Sequence, residues 1–197
     1  MLQTPFLMCL VTGLLMFHLP LSCVLAGEDA VVETSKVDDP KVKLTEGTWK
    51  DVEALVAKNA GRIVVVDVWS TSCLPCMTEF PHLVELQRKH GAGVACIGFN
   101  VDYVGIKSRP ATMYEKKVNE FLQKHNAVCT NILSTMPSDD VFQSLELSSI
   151  PAAYIYGPDG KLLKRFDDSL FVDGKEEAFT YKEDIIPFVE GLLQAGK

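Results

Sequence analysis

The sequence has no basic stripe and no internal repeat. Lys and Arg together number 19 against 26 Asp and Glu, and the acidic residues are spread along a chain with a net charge of −7. A nucleic acid is therefore not an expected partner, because phosphate backbones are bound by clustered cations. Hydrophobic residues make up 47% of the 197 and charged residues 23%, a composition typical of a globular protein with one domain.

Charged residues are also missing from the N-terminal segment. Residues 1–26 contain no Asp, Glu, Lys or Arg and include the apolar run FLMCLVTGLLMF at residues 6–17. The segment ends in Val24-Leu25-Ala26, where a signal peptidase reads small residues. We therefore expect a cleaved signal peptide and an extracytoplasmic protein, periplasmic or secreted. Two alternatives stay open: the segment is kept as a membrane anchor, or it is lipidated at Cys23.

The segment after the signal peptide, residues 27–40, is charged and ends in proline, so we expect a flexible lead-in. Residues 41–197 should then form the folded domain. Removal of the signal leaves four cysteines in an oxidising environment, and two of them, Cys96 and Cys129, lie in predicted buried strands. We expect these two to be free core thiols, with a second, structural disulfide as the alternative.

A C-x-x-C motif, Cys73-Leu74-Pro75-Cys76, lies between a buried apolar run and a predicted helix. Its spacing places the two sulfurs on one helical turn, within reach of a disulfide, and a helix N-terminus stabilises a thiolate on the first cysteine. Zinc would need a second pair of Cys or His at similar spacing, which the sequence lacks. Haem attachment would need His where Met77 stands. The motif therefore favours thiol-disulfide redox chemistry.

Hydrophobic periodicity predicts an α/β fold in which buried parallel strands alternate with helices. The predicted strands are residues 42–44, 62–69, 93–101, 127–133, 152–156 and 161–166. The predicted helices follow an N-cap at Thr48, the C-x-x-C motif, a capping box at Thr112–Glu115, an N-cap at Ser138, and either Asp184 or Thr180 near the C-terminus. The turn at Gly157–Gly160 should join the last two strands as a hairpin.

Several separated positions agree with one known family. Asp67 and Trp69 precede the C-x-x-C motif, Pro81 lies in the following helix, and Ile150-Pro151 precedes the hairpin. On these residues the chain resembles thioredoxin-like proteins from about residue 41 to residue 194. The resemblance implies that Pro151 is cis and lies beside the disulfide.

The segment between residues 93 and 149 is longer than in a minimal thioredoxin and contains an added helix and strand. Together with SCLPCMTEFP, it resembles exported thiol-disulfide oxidoreductases related to those of cytochrome c maturation. The resemblance implies a thioredoxin fold: a mixed central sheet flanked by helices, an inserted helix-strand segment, and a C-terminal β-hairpin plus helix.

Four residues receive catalytic roles. Cys73 should be the nucleophile that forms a mixed disulfide, and Cys76 should resolve it. Asp67, a carboxylate inside a buried strand, is the first candidate to take the proton of Cys76, with a hydrogen-bonded structural acid as the alternative. Glu79, one helical turn beyond Cys76, is the second candidate, and a solvated helix residue is its alternative.

Five positions around the disulfide are the candidate substrate-binding residues: Trp69, Leu74, Pro75, Ile150 and Pro151. Trp69 is more typical of a core and active-site wall than of a substrate contact. We expect protein disulfides or dithiols as substrates, an unidentified redox donor, and no cofactor or metal. The resemblance favours a reductant, because Leu74 stands where strong oxidants of this fold often carry histidine.

Two long loops, Asp102–Ala111 and Asp167–Phe179, should emerge at the same sheet edge as Cys73. We expect them to select the protein partner, with Leu170 and Phe171 as contacts; solvent-facing insertions are the alternative.

Two other functions stay open. A peroxidase of the peroxiredoxin class shares the fold, although the proline that usually precedes its attacking cysteine is absent before Cys73. A non-enzymatic exported binding or metal-handling module would use the C-x-x-C motif only as a bridge.

Overall fold

A six-stranded mixed sheet with helices on both faces forms the centre of the molecule in a computed structural model. The structure describes residues 41–196 except 168–170, 173–174 and 177–178, and between residues 168 and 178 it describes only the backbone. The predicted signal peptide, residues 1–26, and the lead-in, residues 27–40, lie outside the described residues. Within the described part of the chain, no helix combines the length and apolarity needed to cross a membrane.

The elements alternate along the chain as the periodicity predicts. The strands are β1 (Leu44–Gly47), β2 (Ile63–Trp69), β3 (Val94–Asn100), β4 (Thr130–Ser134), β5 (Ala152–Tyr156), β6 (Leu162–Asp167), β7 (Phe171–Val172) and β8 (Lys175–Glu176). The α-helices are α1 (Trp49–Lys58), α2 (Leu74–His90), α3 (Glu115–Lys124), α4 (Ser138–Leu145) and α5 (Ile186–Ala195). A 3₁₀ turn (Ala111–Tyr114) precedes α3, and a π-helical turn (Tyr181–Ile185) precedes α5.

The strand order of the central sheet is β1-β4-β3-β2-β5-β6. Strands β2 and β3 are parallel, as the intervening helix α2 predicts, and β5 and β6 form the predicted antiparallel hairpin. The carboxyl ends of β2 and β3 therefore lie at one edge of the sheet, which we call the catalytic edge. This arrangement confirms the predicted thioredoxin-like α/β fold.

Strand β2 is buried along its whole length because the sheet is covered on both faces. Val64, Val66 and Val68 pack into one core with residues of α1 and α4. Val65 and Trp69 pack into the other core with residues of α2, α3 and α5. Asp67 lies midway between these two residues, two positions from each, so its side chain faces the same side of the sheet.

Two strands, β1 and β4, differ from their predicted bounds by more than one residue. Strand β1 begins at Leu44 rather than at residue 42, because its pairing with β4 begins at Leu44. Strand β4 begins at Thr130 rather than residue 127, because the Asn131 side-chain amide donates hydrogen bonds to the carbonyls of Ala127 and Cys129 at 2.9 and 2.8 Å. These side-chain contacts replace ladder hydrogen bonds over that segment.

One predicted helix start, at Thr48, is confirmed, and three others are corrected. Thr48 and Asp51 form a capping box at the start of α1. The predicted capping box at Thr112 is wrong, because a 3₁₀ turn begins directly after Pro110 and α3 begins only at Glu115. Ser138 is the first residue of α4 rather than its N-cap, and its N–H donates to the Tyr103 carbonyl at 2.7 Å.

The third correction concerns the C-terminus, where the start at Thr180 replaces the one at Asp184. The Thr180 hydroxyl accepts a hydrogen bond from the Glu183 N–H at 3.1 Å. In return, the Thr180 N–H donates to the Asp184 carboxylate at 2.8 Å. This reciprocal cap fixes the backbone of the π-helical turn that follows.

Candidate active site

The C-x-x-C motif lies at the catalytic edge, where β2 ends and α2 begins. Cys73 is the N-cap residue of α2, and Pro75 stands in the first turn of the helix, where its missing N–H costs nothing. Cys73 and Cys76 are joined in a disulfide with a Cα–Cα distance of 5.3 Å.

The two cysteines have different environments. Cys73 is partly exposed, whereas Cys76 is 1% exposed and packs into the core on the α2 side of the sheet. The Cys73 Sγ accepts a hydrogen bond from the Cys76 N–H at 3.2 Å. That donor and the helix N-terminus are both placed to stabilise negative charge on the Cys73 sulfur.

The loop that carries Cys73 is braced by Asp102, which sequence reasoning assigned only to a partner-binding loop. Asp102 is 6% exposed. Its carboxylate accepts hydrogen bonds from the Ser70 hydroxyl at 2.6 Å, from the Thr71 N–H at 2.7 Å and from the Thr71 hydroxyl. Ser70 also contacts the Ser72 hydroxyl at 2.7 Å. One buried carboxylate at the end of β3 therefore fixes the chain directly before the nucleophile.

The Ile150–Pro151 peptide bond is cis and lies beside the disulfide. The Cys73 Sγ is 3.6 Å from the carbonyl oxygen of Ile150. A groove of about 270 Å³ adjoins this contact, lined by Ser72, Cys73, Asp102, Val104, Phe142 and Ile150. Leu74 is 72% exposed next to the disulfide, and Pro75 is exposed as well. Leu74, Pro75 and Ile150 thus surround the sulfur that a substrate would approach.

Trp69 needs a correction as a substrate-binding residue. Its side chain has no exposed surface. The ring packs against Phe80 and Phe121, with centroids 4.5 and 5.0 Å away. Trp69 therefore supports the site from within the core, in line with its interpretation as a core and active-site wall residue, and offers no surface to a substrate.

Asp67 is buried in strand β2 on the face that packs against α2, with 2% of its surface exposed. The Tyr181 hydroxyl donates a hydrogen bond to Asp67 Oδ2 at 2.6 Å, whereas Oδ1 has no hydrogen-bond partner among the described residues. Burial raises the pKa of Asp67 to about 7; the Tyr181 hydrogen bond opposes this increase, and the charge of Glu79 adds to it. Asp67 can thus hold or release a proton near neutral pH.

Glu79 is half-buried on α2, one turn beyond Cys76. Its carboxylate accepts a hydrogen bond from the Tyr181 N–H at 2.8 Å. Tyr181, which sequence reasoning missed, therefore contacts both predicted acids. Its only sequence signal is an aromatic residue directly after the Thr180 cap.

The other two cysteines of the described residues, Cys96 and Cys129, are free and buried. The alternative of a second disulfide is therefore not observed. Burial raises the pKa of Cys129 to about 12 and the pKa of Cys96 well above its ordinary value, so both are neutral thiols at neutral pH. No group of three or more metal-ligating side chains is gathered among the residues that the structure describes.

Both predicted partner loops begin at the catalytic edge. Asn100, at the end of β3, lies opposite Trp69, and Asp102 comes two residues later. Asp167, at the end of β6, lies opposite Ala152, which in turn pairs with Val68. Of the second loop, residues 168–170 lie outside the described residues and include Leu170. Phe171 is described only as backbone of β7, which pairs antiparallel with β8.

The sequence of this chain is similar to that of a thiol-disulfide oxidoreductase. The curated thiol-disulfide oxidoreductase ResA of Bacillus subtilis (strain 168) is 28% identical over 145 residues, which cover 73% of this chain and 72% of ResA.

Two solved structures share the fold. A thioredoxin-like protein from Porphyromonas gingivalis superposes with a TM-score of 0.51 at 22% identity, over 71% of this chain and 80% of its own. A DsbF homologue from Corynebacterium diphtheriae superposes with a TM-score of 0.51 at 18% identity, over 70% of this chain and 76% of its own. The sequence pattern of the AhpC/TSA family matches residues 36–165. The chain therefore belongs to the AhpC/TSA family and has a thioredoxin-like fold.

Proposed function

We propose that this protein is an exported thiol-disulfide oxidoreductase that reduces disulfides in other proteins. The observation that carries the proposal is the disulfide at the start of α2, which has one partly exposed sulfur, Cys73, and one buried sulfur, Cys76. This asymmetry suits a redox site better than a structural bridge, because the two cysteines can act in sequence. The ResA relative is itself named as a thiol-disulfide oxidoreductase.

The reaction begins from the reduced protein. The Cys73 thiolate attacks a substrate disulfide, forms a mixed disulfide and releases one substrate thiolate. Cys76 then gives its proton to Asp67 and attacks Cys73, which closes the Cys73–Cys76 disulfide and releases the second substrate thiolate. A dithiol donor returns the protein to the reduced state. Glu79 assists through its charge, which favours proton uptake by Asp67.

The substrate would lie as an extended segment along the groove beside Ile150. The backbone of that residue is near enough to Cys73 to pair with a substrate chain while the sulfurs react. Leu74 would meet an apolar side chain next to the substrate cysteine. The loops that start at Asp102 and Asp167 would extend this contact and select the partner.

Export and direction are parts of the proposal that rest on the sequence. Residues 1–26 would act as the signal peptide, residues 27–40 as a lead-in, and residues 41–197 as the thioredoxin-like domain. Leu74 in place of histidine favours a reductant.

The direct test is turnover of insulin disulfides with dithiothreitol as the donor, together with the equilibrium potential against glutathione. The proposal predicts catalysed reduction and a potential nearer to that of thioredoxin, about −270 mV, than to that of DsbA, about −120 mV. A potential near the DsbA value would instead make the protein an oxidant. Absence of insulin reduction would remove the enzymatic role.

A peroxidase is the second candidate, because the AhpC/TSA family also includes peroxiredoxin-like members. It would reduce a peroxide directly at Cys73. Turnover of hydrogen peroxide with dithiothreitol, measured beside insulin reduction, separates the two activities. The oxidoreductase proposal predicts that peroxide turnover is negligible by comparison.

A further inference from the structure

Tyr181 contacts both predicted acids, Asp67 and Glu79. It is fully buried and is the first residue of the π-helical turn before α5. Its hydroxyl donates to Asp67 and its backbone N–H donates to Glu79, at 2.6 and 2.8 Å. These contacts span 114 and 102 positions of the sequence, so the C-terminal turn holds two acids that belong to a distant part of the chain.

The hydrogen bond from Tyr181 uses only one of the two Asp67 carboxylate oxygens. Oδ2 is occupied by the phenol, while Oδ1 is buried without a partner among the described residues. Burying an acceptor without a partner costs free energy, and such groups occur where a proton or ligand is to be received. Tyr181 belongs to the same core as Cys76, whose thiol carries the proton that the reaction must remove.

We propose that Tyr181 is a positioning residue that fixes Asp67 and Glu79 relative to each other and keeps one Asp67 oxygen free to accept the proton of Cys76. The inference rests on the proposed function and deepens it. In this step the Cys76 S–H bond breaks, and the proton moves to Asp67 Oδ1. The Cys76 electron pair then forms the S–S bond with Cys73 as the substrate thiolate leaves.

The titratable groups around Asp67 come from four elements. They are Cys76 and Glu79 on α2, Tyr181 on the π-helical turn, Cys96 on β3, and Cys129 directly before β4. Both thiols of the strands stay neutral, as does the phenol, because burial raises the pKa of Tyr181 well above its ordinary value. Among these groups, Glu79 is the one whose charge raises the pKa of Asp67.

Tyr181 and Glu79 act on Asp67 in opposite directions. The phenol stabilises the carboxylate and lowers the pKa of Asp67, whereas the charge of Glu79 raises it. Tyr181→Phe should therefore move proton release from Asp67 to higher pH, and Glu79→Gln should move it to lower pH. A general loss of stability would not produce two shifts of opposite sign.

The experiment follows the reduced protein mixed with a chromogenic aromatic disulfide in a stopped-flow instrument. A first, concentration-dependent release reports attack by Cys73, and a second, concentration-independent release reports resolution by Cys76. The second rate should rise with pH as Asp67 loses its proton. We expect Tyr181→Phe to move this rise upward by about one pH unit, the equivalent of one charge-assisted hydrogen bond. Glu79→Gln should move it downward.

The matched control is Tyr154→Phe, which removes a tyrosine hydroxyl from the core on the opposite face of the sheet and should leave the profile unchanged. In an Asp67→Asn background, Tyr181→Phe should no longer shift it. Titration of the Asp67 carboxyl carbon by NMR makes the same comparison in the oxidised protein, without turnover.

Unchanged midpoints in both Tyr181→Phe and Glu79→Gln, with a normal second release in the parent, would overturn the role of Tyr181 alone. Absence of the second release in the parent would instead overturn the proposed function. The NMR titration would then still decide whether Tyr181 controls Asp67.

Discussion

Replacement of Asp67 by Asn should change the stability of the oxidised protein in a strongly pH-dependent way. The folded-state pKa of about 7 lies above the ordinary value of 3.8. The folded protein therefore holds a proton over an interval in which the unfolded chain has lost it. This contribution to stability is complete below about pH 4, decreases as the pH rises towards 7, and is absent above that.

The size of the effect follows from the two pKa values. The difference between about 7 and 3.8 corresponds to about 4 kcal/mol, at about 1.4 kcal/mol for each tenfold change in proton affinity. Asn cannot ionise, so the Asp67→Asn variant should not show this decrease in stability as the pH rises. Its amide N–H groups are buried without an evident acceptor and should cost about 1–3 kcal/mol at every pH. The pH-dependent part of the difference between variant and parent therefore isolates the charge of Asp67.

The assay is urea unfolding of both oxidised proteins from pH 4 to pH 8. The free energy of unfolding of the variant relative to the parent should increase by about 4 kcal/mol over this range. Asp102→Asn is the contrasting variant, because that buried carboxylate accepts hydrogen bonds from Ser70 and Thr71. It should destabilise the protein at neutral pH by about 2 kcal/mol. A stability difference for Asp67→Asn that stays constant across the range would refute the reasoning.

Three further results are expected. Cys96 and Cys129 should resist alkylation in the folded protein and react only after unfolding, as mass spectrometry would show; rapid labelling of the native state would contradict their burial. Leu74→His should raise the reduction potential by about 30 mV if its charge stabilises the Cys73 thiolate by about 1.4 kcal/mol; an unchanged potential would argue against electrostatic control at this position. Deletion within residues 168–178 should slow reduction of the physiological partner while sparing a small disulfide reagent, and equal kinetics with both substrates would remove the partner-selection role.

Local signals account for most of the elements that the sequence predicts correctly. The Thr48 cap and the Gly157–Gly160 turn depend on neighbours within a few residues, so the pattern is sufficient to place α1 and the β5–β6 hairpin. Where two local signals compete for a helix start, the sequence pattern alone does not decide between them. The reciprocal cap between Thr180 and Asp184 sets the C-terminal start, and it places Tyr181 in the core.

Contacts between distant parts of the chain account for what the sequence does not reveal. A buried strand that contains an acid marks Asp67 as unusual, but nothing near it indicates a tyrosine 114 positions away. The role of Asp102 is hidden for the same reason, since its partners Ser70 and Thr71 lie on a loop of another strand. Trp69 is near Cys73 in sequence but fully buried, because proximity along the chain does not determine whether a side chain faces the core or the surface of the site.

The most direct test of the central claim is covalent trapping of a protein substrate by two variants that each lack one cysteine of the C-x-x-C motif. The trapped product is detected by mass spectrometry without reductant. Reduced Cys76→Ala retains the nucleophile without the resolving thiol, so it should accumulate a mixed disulfide between Cys73 and the substrate. Reduced Cys73→Ala retains only the buried thiol of the motif, Cys76, and should accumulate none. Equal trapping by both variants, or trapping by Cys73→Ala alone, would contradict the assignment of Cys73 as the attacking cysteine.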